Sequence, residues 1–181
     1  MSISKTKKLV LASLMLAVGI LFPFVTSHAL GISGTVLLPM HIPVFISGML
    51  LGPAWGGVLG VLTPVLSALL TGMPTVFPMM PIMACELCTY GLVSGFVYRR
   101  TPVGTLRVGR LLSMLPAMLL GRCAYALVFE LLLLVNGSLR ALTVWGAVVT
   151  GLAGIALQLL LVPPVLYVLE RLLGIKRINN I

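Results

Sequence analysis

The sequence predicts an all-α integral membrane protein, in which residues 1–181 form a single bundle of six transmembrane helices. Hydrophobic residues make up 60% of the chain and charged residues only 8%, whereas a soluble domain carries about 25% charged residues. The mean hydropathy of +1.19 excludes a soluble globular enzyme, a disordered tail and a coiled coil. The apolar runs are long, and they lack the alternation of apolar and polar residues that is typical of an outer-membrane barrel.

The first three spans are defined by apolar runs and by the residues that end them. The first, Leu9–Val25, follows a basic segment, and no convincing cleavage site comes after it, so we expect a retained transmembrane helix rather than a signal peptide. The second, Val36–Leu51, and the third, Ala54–Leu70, are separated by Gly52-Pro53, a pair that ends helices. Both contain several glycines and prolines, which predicts helices that are tilted, kinked or closely packed.

The last three spans are separated by turns and by one basic loop. A turn at Thr71–Pro74 precedes the fourth span. A basic loop separates the fourth span from the fifth, and a glycine-containing turn precedes the sixth. A helix needs about 20 residues to cross a bilayer, so each of these runs is long enough. They are Val76–Tyr98, Leu111–Val135 and Leu142–Leu172, and the basic loop is Arg99–Arg110.

The positive charges predict the orientation of the bundle. If the chain crosses the membrane six times, ten of the twelve Lys and Arg residues lie on one side, and the positive-inside rule places that side and both termini in the cytoplasm. The net charge of +9 therefore indicates topology and contact with anionic lipid rather than nucleic-acid binding. The ten are Lys5, Lys7, Lys8, Arg99, Arg100, Arg107, Arg110, Arg171, Lys176 and Arg177.

Two charged residues, Glu86 and Arg122, fall near the middle of predicted spans. At about 1.5 Å per residue both lie about 15 Å deep, near the midplane, where each charge costs about 2.5 kcal/mol or more. One interpretation is a structural ion pair between the fourth and fifth spans. The other is a ligand cavity in which a carboxylate competes with Glu86 for the planar fork of Arg122.

Candidate ligand-contacting residues share the helix faces of this charged pair. On the fourth span, two methionines and a tyrosine recur at helical spacing, as an adaptable apolar wall or as core filling. On the fifth span, aromatic residues follow the arginine at i+3 and i+7 and predict an aromatic wall. They are Met79, Met83 and Tyr90, and Tyr125 and Phe129.

His41 lies between Pro39 and Pro43 in the second span, about 8 Å below the outer surface by the same depth count. It either contacts a ligand or is hydrogen-bonded within the bundle, and His28 in the outer loop is a weaker candidate. The chain has two histidines and no pair of carboxylates at metal-ligand spacing, so we predict no metal site.

Several other motifs bear on chemistry and on partners. Cys85 and Cys88 form a C-x-x-C in mid-membrane, where thiolate chemistry is disfavoured. No phosphate-binding G-x-x-x-x-G-K-[ST] loop occurs, so any ATPase is another chain, and we predict no cofactor. On the first span, Ser13 and Ala17 form a small-xxx-small pair, which is typical of helix–helix contact.

The order of several segments resembles the substrate-binding subunits, or S components, of energy-coupling factor (ECF) vitamin transporters, over nearly all of the chain. The resemblance rests on the six spans, on Glu86 and on four short segments. These are Leu38-Pro39-Met40-His41-Ile42-Pro43, Leu51-Gly52-Pro53-Ala54-Trp55-Gly56-Gly57, Leu70-Thr71-Gly72-Met73-Pro74 and Tyr90-Gly91-Leu92.

The resemblance implies a high-affinity binding protein for a vitamin or related micronutrient in the plasma membrane of a prokaryote. Such a subunit works with a transmembrane coupling protein and two cytoplasmic ATPases. Its pocket opens in the outer half under three loops, which map to Thr26–Thr35, Thr71–Thr75 and Asn136–Ala141. Its coupling face carries an Ala-xxx-Ala on the first span, where this chain has Ser13 and Ala17.

The identity of the ligand stays open at this point. Arg122 favours a carboxylate such as pantothenate over thiamin or riboflavin, but if Glu86 neutralises Arg122, a neutral pyridine or pyrimidine ligand fits equally well. Two other classes of protein are considered. One is a self-sufficient transporter with Glu86 as proton carrier, although no inverted repeat is evident; the other is a small membrane enzyme with Glu86 or His41 as acid or base, although no nucleophile–base pair is evident.

Overall fold

A computed structural model describes residues 4–30, 39–101, 106–135 and 144–174, and within these ranges the chain is helical with no strand. Five of the six helices are long and apolar enough to cross a membrane. This confirms the prediction of an all-α protein with apolar membrane-spanning helices. The helices are α1 (Lys5–Leu30), α2 (His41–Leu51), α3 (Pro53–Thr71), α4 (Met79–Arg100), α5 (Leu106–Val135) and α6 (Val144–Leu172).

The second helix is shorter than its predicted span. It begins at His41 rather than at Val36, because Pro39 and Met40 form a turn, and residues 36–38 lie outside the described ranges. Its 11 residues span about 16 Å, about half of a bilayer core of about 30 Å. The count of six full spans therefore stays a prediction.

Several other boundaries also move, and the largest of these shifts are at the end of α1 and the start of α5. Helix α1 continues to Leu30, so the first five residues of the predicted outer loop Thr26–Thr35 are helical, and the rest lie outside the described residues. Helix α5 begins at Leu106 rather than Leu111, inside the predicted basic loop. The outer loop predicted at Asn136–Ala141 is likewise not described.

Glycines bring α2, α3 and α4 into close backbone contact. A Cβ atom on Gly91 of α4 would collide with the carbonyl group of Gly56 of α3, and one on Gly48 of α2 would collide with the carbonyl of Gly91. Gly60 faces the backbone of Leu87 in the same way. The prediction that the second and third spans are closely packed is confirmed. These contacts fix α4, which carries Glu86, against two neighbouring helices.

The bundle buries several polar residues within an apolar core and exposes large apolar side chains, as expected for a protein surrounded by lipid. Buried polar residues include Ser47, Thr63 and Gln158, each at most 1% exposed. Large apolar side chains face outward instead, for example Leu127 at 65% and Leu160 at 71%. Such a surface is unstable in water but is matched to a bilayer.

Polar contacts bring four helix ends together at one end of the bundle. Arg99, near the end of α4, donates to the carbonyl of Leu51 at the end of α2 over 3.1 Å. Tyr98 and Arg110 donate to the carboxylate of Glu170 on α6 over 2.6 and 2.9 Å. We call this the basic end, because Arg99, Arg100, Arg107, Arg110 and Arg171 are all found there.

Candidate ligand-binding site

Glu86 is buried on α4, about 10 Å from the start of that helix and about 21 Å from its end at the basic end. Its side chain is 2% exposed. Burial of a carboxylate is expensive unless it is paired and hydrogen-bonded, so its partners define the site.

Two donors converge on one oxygen of this carboxylate. The Tyr90 hydroxyl, one turn further along α4, donates to Oε1 over 2.8 Å, and Nη1 of Arg122 on α5 lies 3.1 Å from the same atom. The structure thus brings together the two charges that equal predicted depth placed side by side. Gly121 allows this approach, because a Cβ atom there would collide with the ring of Tyr90.

Helix α2 contributes a histidine and a phenylalanine to the other side of Glu86. Nε2 of His41 lies 3.9 Å from Oε2 of Glu86, and the imidazole is fully buried. Its ring centroid is 5.2 Å from that of Tyr90, while Phe45 stacks on Tyr90 at 5.0 Å. The predicted depths of His41 and Glu86 differ by about 7 Å, a difference that their side chains bridge. We call Glu86, Tyr90, Arg122 and His41 the carboxylate cluster.

Only one of the three guanidinium nitrogens of Arg122 is paired within the part of the chain that the structure describes. Nε and Nη2 are buried and have no hydrogen-bond partner there, while the side chain as a whole is 16% exposed. These two N–H groups form one edge of the planar guanidinium, the geometry that accepts a carboxylate through two parallel hydrogen bonds.

The aromatic pair predicted on the fifth span lies beside Arg122. The guanidinium carbon is 5.9 Å from the ring centroid of Tyr125, and Tyr125 stacks on Phe129 at 6.3 Å and 12°. Both rings are buried against Ile82 of α4. They continue the site from the charged pair toward the end of the bundle opposite the basic end.

The two methionines occupy different positions relative to the cluster. Met83 packs against Met40, Val44 and Leu87, so it belongs to the apolar surroundings of Glu86. Met79 is half-buried at the very start of α4, about 10 Å along the helix from Glu86, and the structure does not bring it to the carboxylate.

The small pair on the first helix lies away from this site. Ser13 and Ala17 are both exposed on α1, between the exposed side chains of Leu14 and Val18. The opposite face of α1 is buried, with Gly19 against Pro43 and Thr63. The pair is therefore accessible on the outside of the bundle, and its role in coupling stays a prediction. His28 lies in α1, and its side chain is not described.

Sequence reasoning missed Phe45, Ile82 and Gly121 in the site, although helical spacing offered a signal for the first two. Phe45 follows His41 by one turn, and Ile82 precedes Glu86 by one turn, so each shares a face with a residue that the sequence singled out. Gly121 gives no such signal, because its importance depends on how closely α5 approaches Tyr90.

Sequence reasoning also missed a second paired carboxylate, the half-buried Glu170, at the basic end. Arg110 was interpreted as a topology signal, yet it is only 6% exposed, pairs with Glu170 at 2.9 Å and lies over the ring of Tyr167 at 5.2 Å. Tyr98 completes the group. This arrangement ties α4, α5 and α6 together rather than forming a site for a small molecule.

Within the described residues, the side chains form no arrangement suited to metal binding or to thiol chemistry. No group of three His, Cys, Asp or Glu side chains there has the geometry of a metal site. Cys85, Cys88 and Cys123 are free thiols.

These features define a class of protein, a helical membrane protein that encloses a compact polar site within an apolar bundle. The family model of the ECF transporter substrate-specific component matches residues 7–166, so the chain belongs to that family. No curated protein and no solved structure matches the chain. Members of this family are membrane subunits that bind a small-molecule substrate for uptake and associate with ECF coupling and ATPase components, and they are not enzymes.

Proposed function

We propose that the chain binds a carboxylated micronutrient at the carboxylate cluster, with pantothenate as the leading candidate. The observation that carries this proposal is the Nε–Nη2 edge of Arg122, two buried N–H donors without a partner in the described residues. A buried donor left unsatisfied costs about 1–3 kcal/mol, and more when it is charged. A ligand carboxylate removes this penalty and gains two charge-assisted hydrogen bonds.

The pairing of Arg122 with Glu86 leaves room for such a ligand. Glu86 occupies only Nη1 of the guanidinium, so a carboxylate on the other edge binds without first displacing Glu86. The ring nitrogen of a neutral pyridine or pyrimidine accepts one hydrogen bond, so it cannot pair both donors in parallel or supply a counter-charge. The geometry therefore favours an anionic ligand over the neutral ones that the sequence left open.

Aromatic and apolar residues supply the walls for the rest of the ligand. Tyr90 and Phe45 stand on one side of Glu86, and Tyr125 and Phe129 lie beyond Arg122. These groups are apolar with few polar atoms, which is the usual composition of a small-molecule site. Met83 adds an adaptable apolar surface.

The basic residues support a definite orientation for this site. If the basic end faces the cytoplasm, as the positive-inside rule requires, both termini are cytoplasmic and Glu86 lies nearer the outer face. The ligand then enters from outside, and the exposed pair Ser13 and Ala17 contacts the coupling protein, which acts with two ATPases.

Binding measurements in nanodiscs test this proposal. We expect pantothenate to bind tightly to the wild-type protein, and thiamin, riboflavin and nicotinamide to bind at least 100-fold more weakly, because none of the three presents a carboxylate to Arg122. Tight binding of a neutral or cationic vitamin instead would contradict the role of Arg122. Uptake into vesicles that contain only this chain, driven by a proton gradient, would favour the self-sufficient transporter.

A further inference from the structure

Charge balance in the carboxylate cluster leads to an inference about protons, which rests on the proposed function. In the structure the cluster contains one carboxylate and one guanidinium, Glu86 and Arg122, at 3.1 Å. A ligand carboxylate on the Nε–Nη2 edge would place two anions on a single cation. A buried site with an uncompensated charge is strongly disfavoured, so one group is required to take up a proton.

The groups that could accept this proton are few. Helix α2 packs against α1, α3, α4 and α6. Among side chains that the structure describes, Glu86 lies 3.9 Å from His41 and the Tyr90 ring centroid lies 5.2 Å from the imidazole. Helix α3 carries no titratable residue. The described titratable groups of α1 and α6 lie in the first turn of α1 or the last two turns of α6: Lys5, Lys7, Lys8, Tyr167, Glu170 and Arg171.

Hydrogen bonding selects His41 among these candidates. Oε1 of Glu86 accepts from both Tyr90 and Arg122, and donated hydrogen bonds favour the charged form of a carboxylate. The neutral Tyr90 phenol is a hydrogen-bond donor here and does not accept the proton. His41 faces Glu86 directly and is the residue type that changes charge between pH 5 and 8.

We propose that the cluster binds its anionic ligand together with one proton from solvent, and that His41 holds this proton. The bound site then contains two carboxylates, one guanidinium and one imidazolium, which sum to zero charge. His41 is thus a positioning and charge-balancing residue that makes affinity depend on pH.

The thermodynamic linkage between proton uptake and ligand binding gives the direction and the size of the pH dependence of affinity. Because the complex binds one more proton than the free protein, affinity for an anion rises as the pH falls, by up to tenfold per pH unit for the one proton taken up. A carboxylic acid with an ordinary pKa of about 4 stays ionised between pH 5.5 and 8. The carboxylate of the ligand therefore does not itself cause the change of affinity with pH.

The first test measures pantothenate affinity by calorimetry between pH 5.5 and 8 for the wild type, His41→Gln and Glu86→Gln. We expect an affinity that rises several-fold per pH unit on acidification in the wild type, and a flat profile in both variants. In Glu86→Gln the negative charge of the ligand already neutralises the positive charge of Arg122, so ligand binding requires no proton. A flat wild-type profile, or an unchanged slope in His41→Gln, would overturn the inference.

The second test needs no ligand and separates this inference from the choice of pantothenate. Arg122→Gln removes the cation, as a bound anion effectively does, and leaves Glu86 beside His41. Carbon-13 NMR of histidine-labelled protein, with His28→Gln to assign the signals, should show the charged-to-neutral ratio of His41 raised at least tenfold at a given pH. Arg122→Lys keeps the charge and serves as the control.

The outcomes of the two tests are distinguishable. If pantothenate does not bind, the ligand named in the proposed function is wrong, while the NMR comparison still decides the role of His41. An unchanged charge ratio in a folded Arg122→Gln protein would contradict that role. If Arg122→Gln does not fold, the pH profiles of His41→Gln and Glu86→Gln decide it instead.

Discussion

Nη1 of Arg122 lies 3.1 Å from Oε1 of Glu86, an ion pair between α5 and α4 that forms in the interior of a membrane bundle. The pair uses one edge position of the guanidinium and leaves Nε and Nη2 buried without partners in the described residues. A purely structural ion pair is most stable when all its donors are satisfied. The unpaired Nε–Nη2 edge is the part of this ion pair that the proposed function assigns to a ligand carboxylate.

Replacing Arg122 by Gln or by Lys should distinguish the contribution of its charge to ligand affinity from the contribution of its planar shape. We expect Arg122→Gln to weaken pantothenate binding by about 100-fold or more, because two charge-assisted hydrogen bonds of about 1.5–3 kcal/mol each are lost. Arg122→Lys keeps the charge but lacks the planar fork, so we expect an intermediate loss. Calorimetry in nanodiscs measures both, and equal affinity in all three proteins would refute the anchor role.

Glu86 should matter for stability even without ligand. Glu86→Gln leaves a buried guanidinium without its counter-charge, and breaking one partner of a buried pair costs about 3–5 kcal/mol. The double variant with Arg122→Gln removes both charges and should regain part of that loss. Reversible unfolding in mixed micelles measures the series; a double variant less stable than Glu86→Gln would show that the two residues do not act as a pair.

Close packing of α3 against α4 predicts a strong effect of one methyl group. Gly91→Ala places its Cβ atom against the backbone carbonyl of Gly56, which cannot rotate away, so we expect a loss of about 1–3 kcal/mol or more. Gly57→Ala is the matched control, because its Cβ atom meets only the side chain of Leu92, which is 43% exposed and free to move. Similar melting temperatures for the two variants would contradict this packing.

The group at the basic end should contribute to stability and not to binding. Glu170→Gln leaves Arg110, which is 6% exposed, without its ion-pair partner, so we expect a lower melting temperature. Arg171→Gln, at an exposed neighbouring position, should have little effect. Pantothenate affinity should change less than threefold in both, and a large loss of affinity in Glu170→Gln would show that this end acts on the site.

The exposed small pair on α1 should affect uptake but not binding. Ser13→Leu and Ala17→Leu fill the space through which a partner helix approaches, so we expect loss of ATP-driven uptake in vesicles containing the coupling protein and both ATPases. Pantothenate affinity of the isolated chain should not change. Ala153→Leu, at another exposed position, is the matched control, and equal uptake by all variants would place the coupling contact elsewhere.

The sequence predicted the parts of the site that follow from depth and helical spacing. Glu86 and Arg122 meet because they lie equally deep on neighbouring helices, and Tyr90 joins them because it is one turn from Glu86. The approach of His41 could not be predicted in the same way, since it depends on where α2 begins. That start is set by a turn at Pro39 and Met40 rather than by hydropathy.

Tertiary contacts explain the remaining differences. Glu170 accepts hydrogen bonds from Tyr98 and Arg110, which lie 72 and 60 residues away in the sequence. A local sequence pattern does not predict a contact over such a separation. In the sequence, the positive charge of Arg110 is equally consistent with a role in membrane topology and with a buried ion pair. Only the packing of α4, α5 and α6 distinguishes these roles.

Mass spectrometry of the small molecule that copurifies with the protein tests directly whether Arg122 holds a carboxylated ligand. Wild-type protein and Arg122→Gln are purified in parallel from the same growth medium, and the bound fraction is released by denaturation. We expect a carboxylated micronutrient that is retained by the wild type and absent from the variant. A retained molecule without an acidic group, present in equal amount in both, would contradict this expectation.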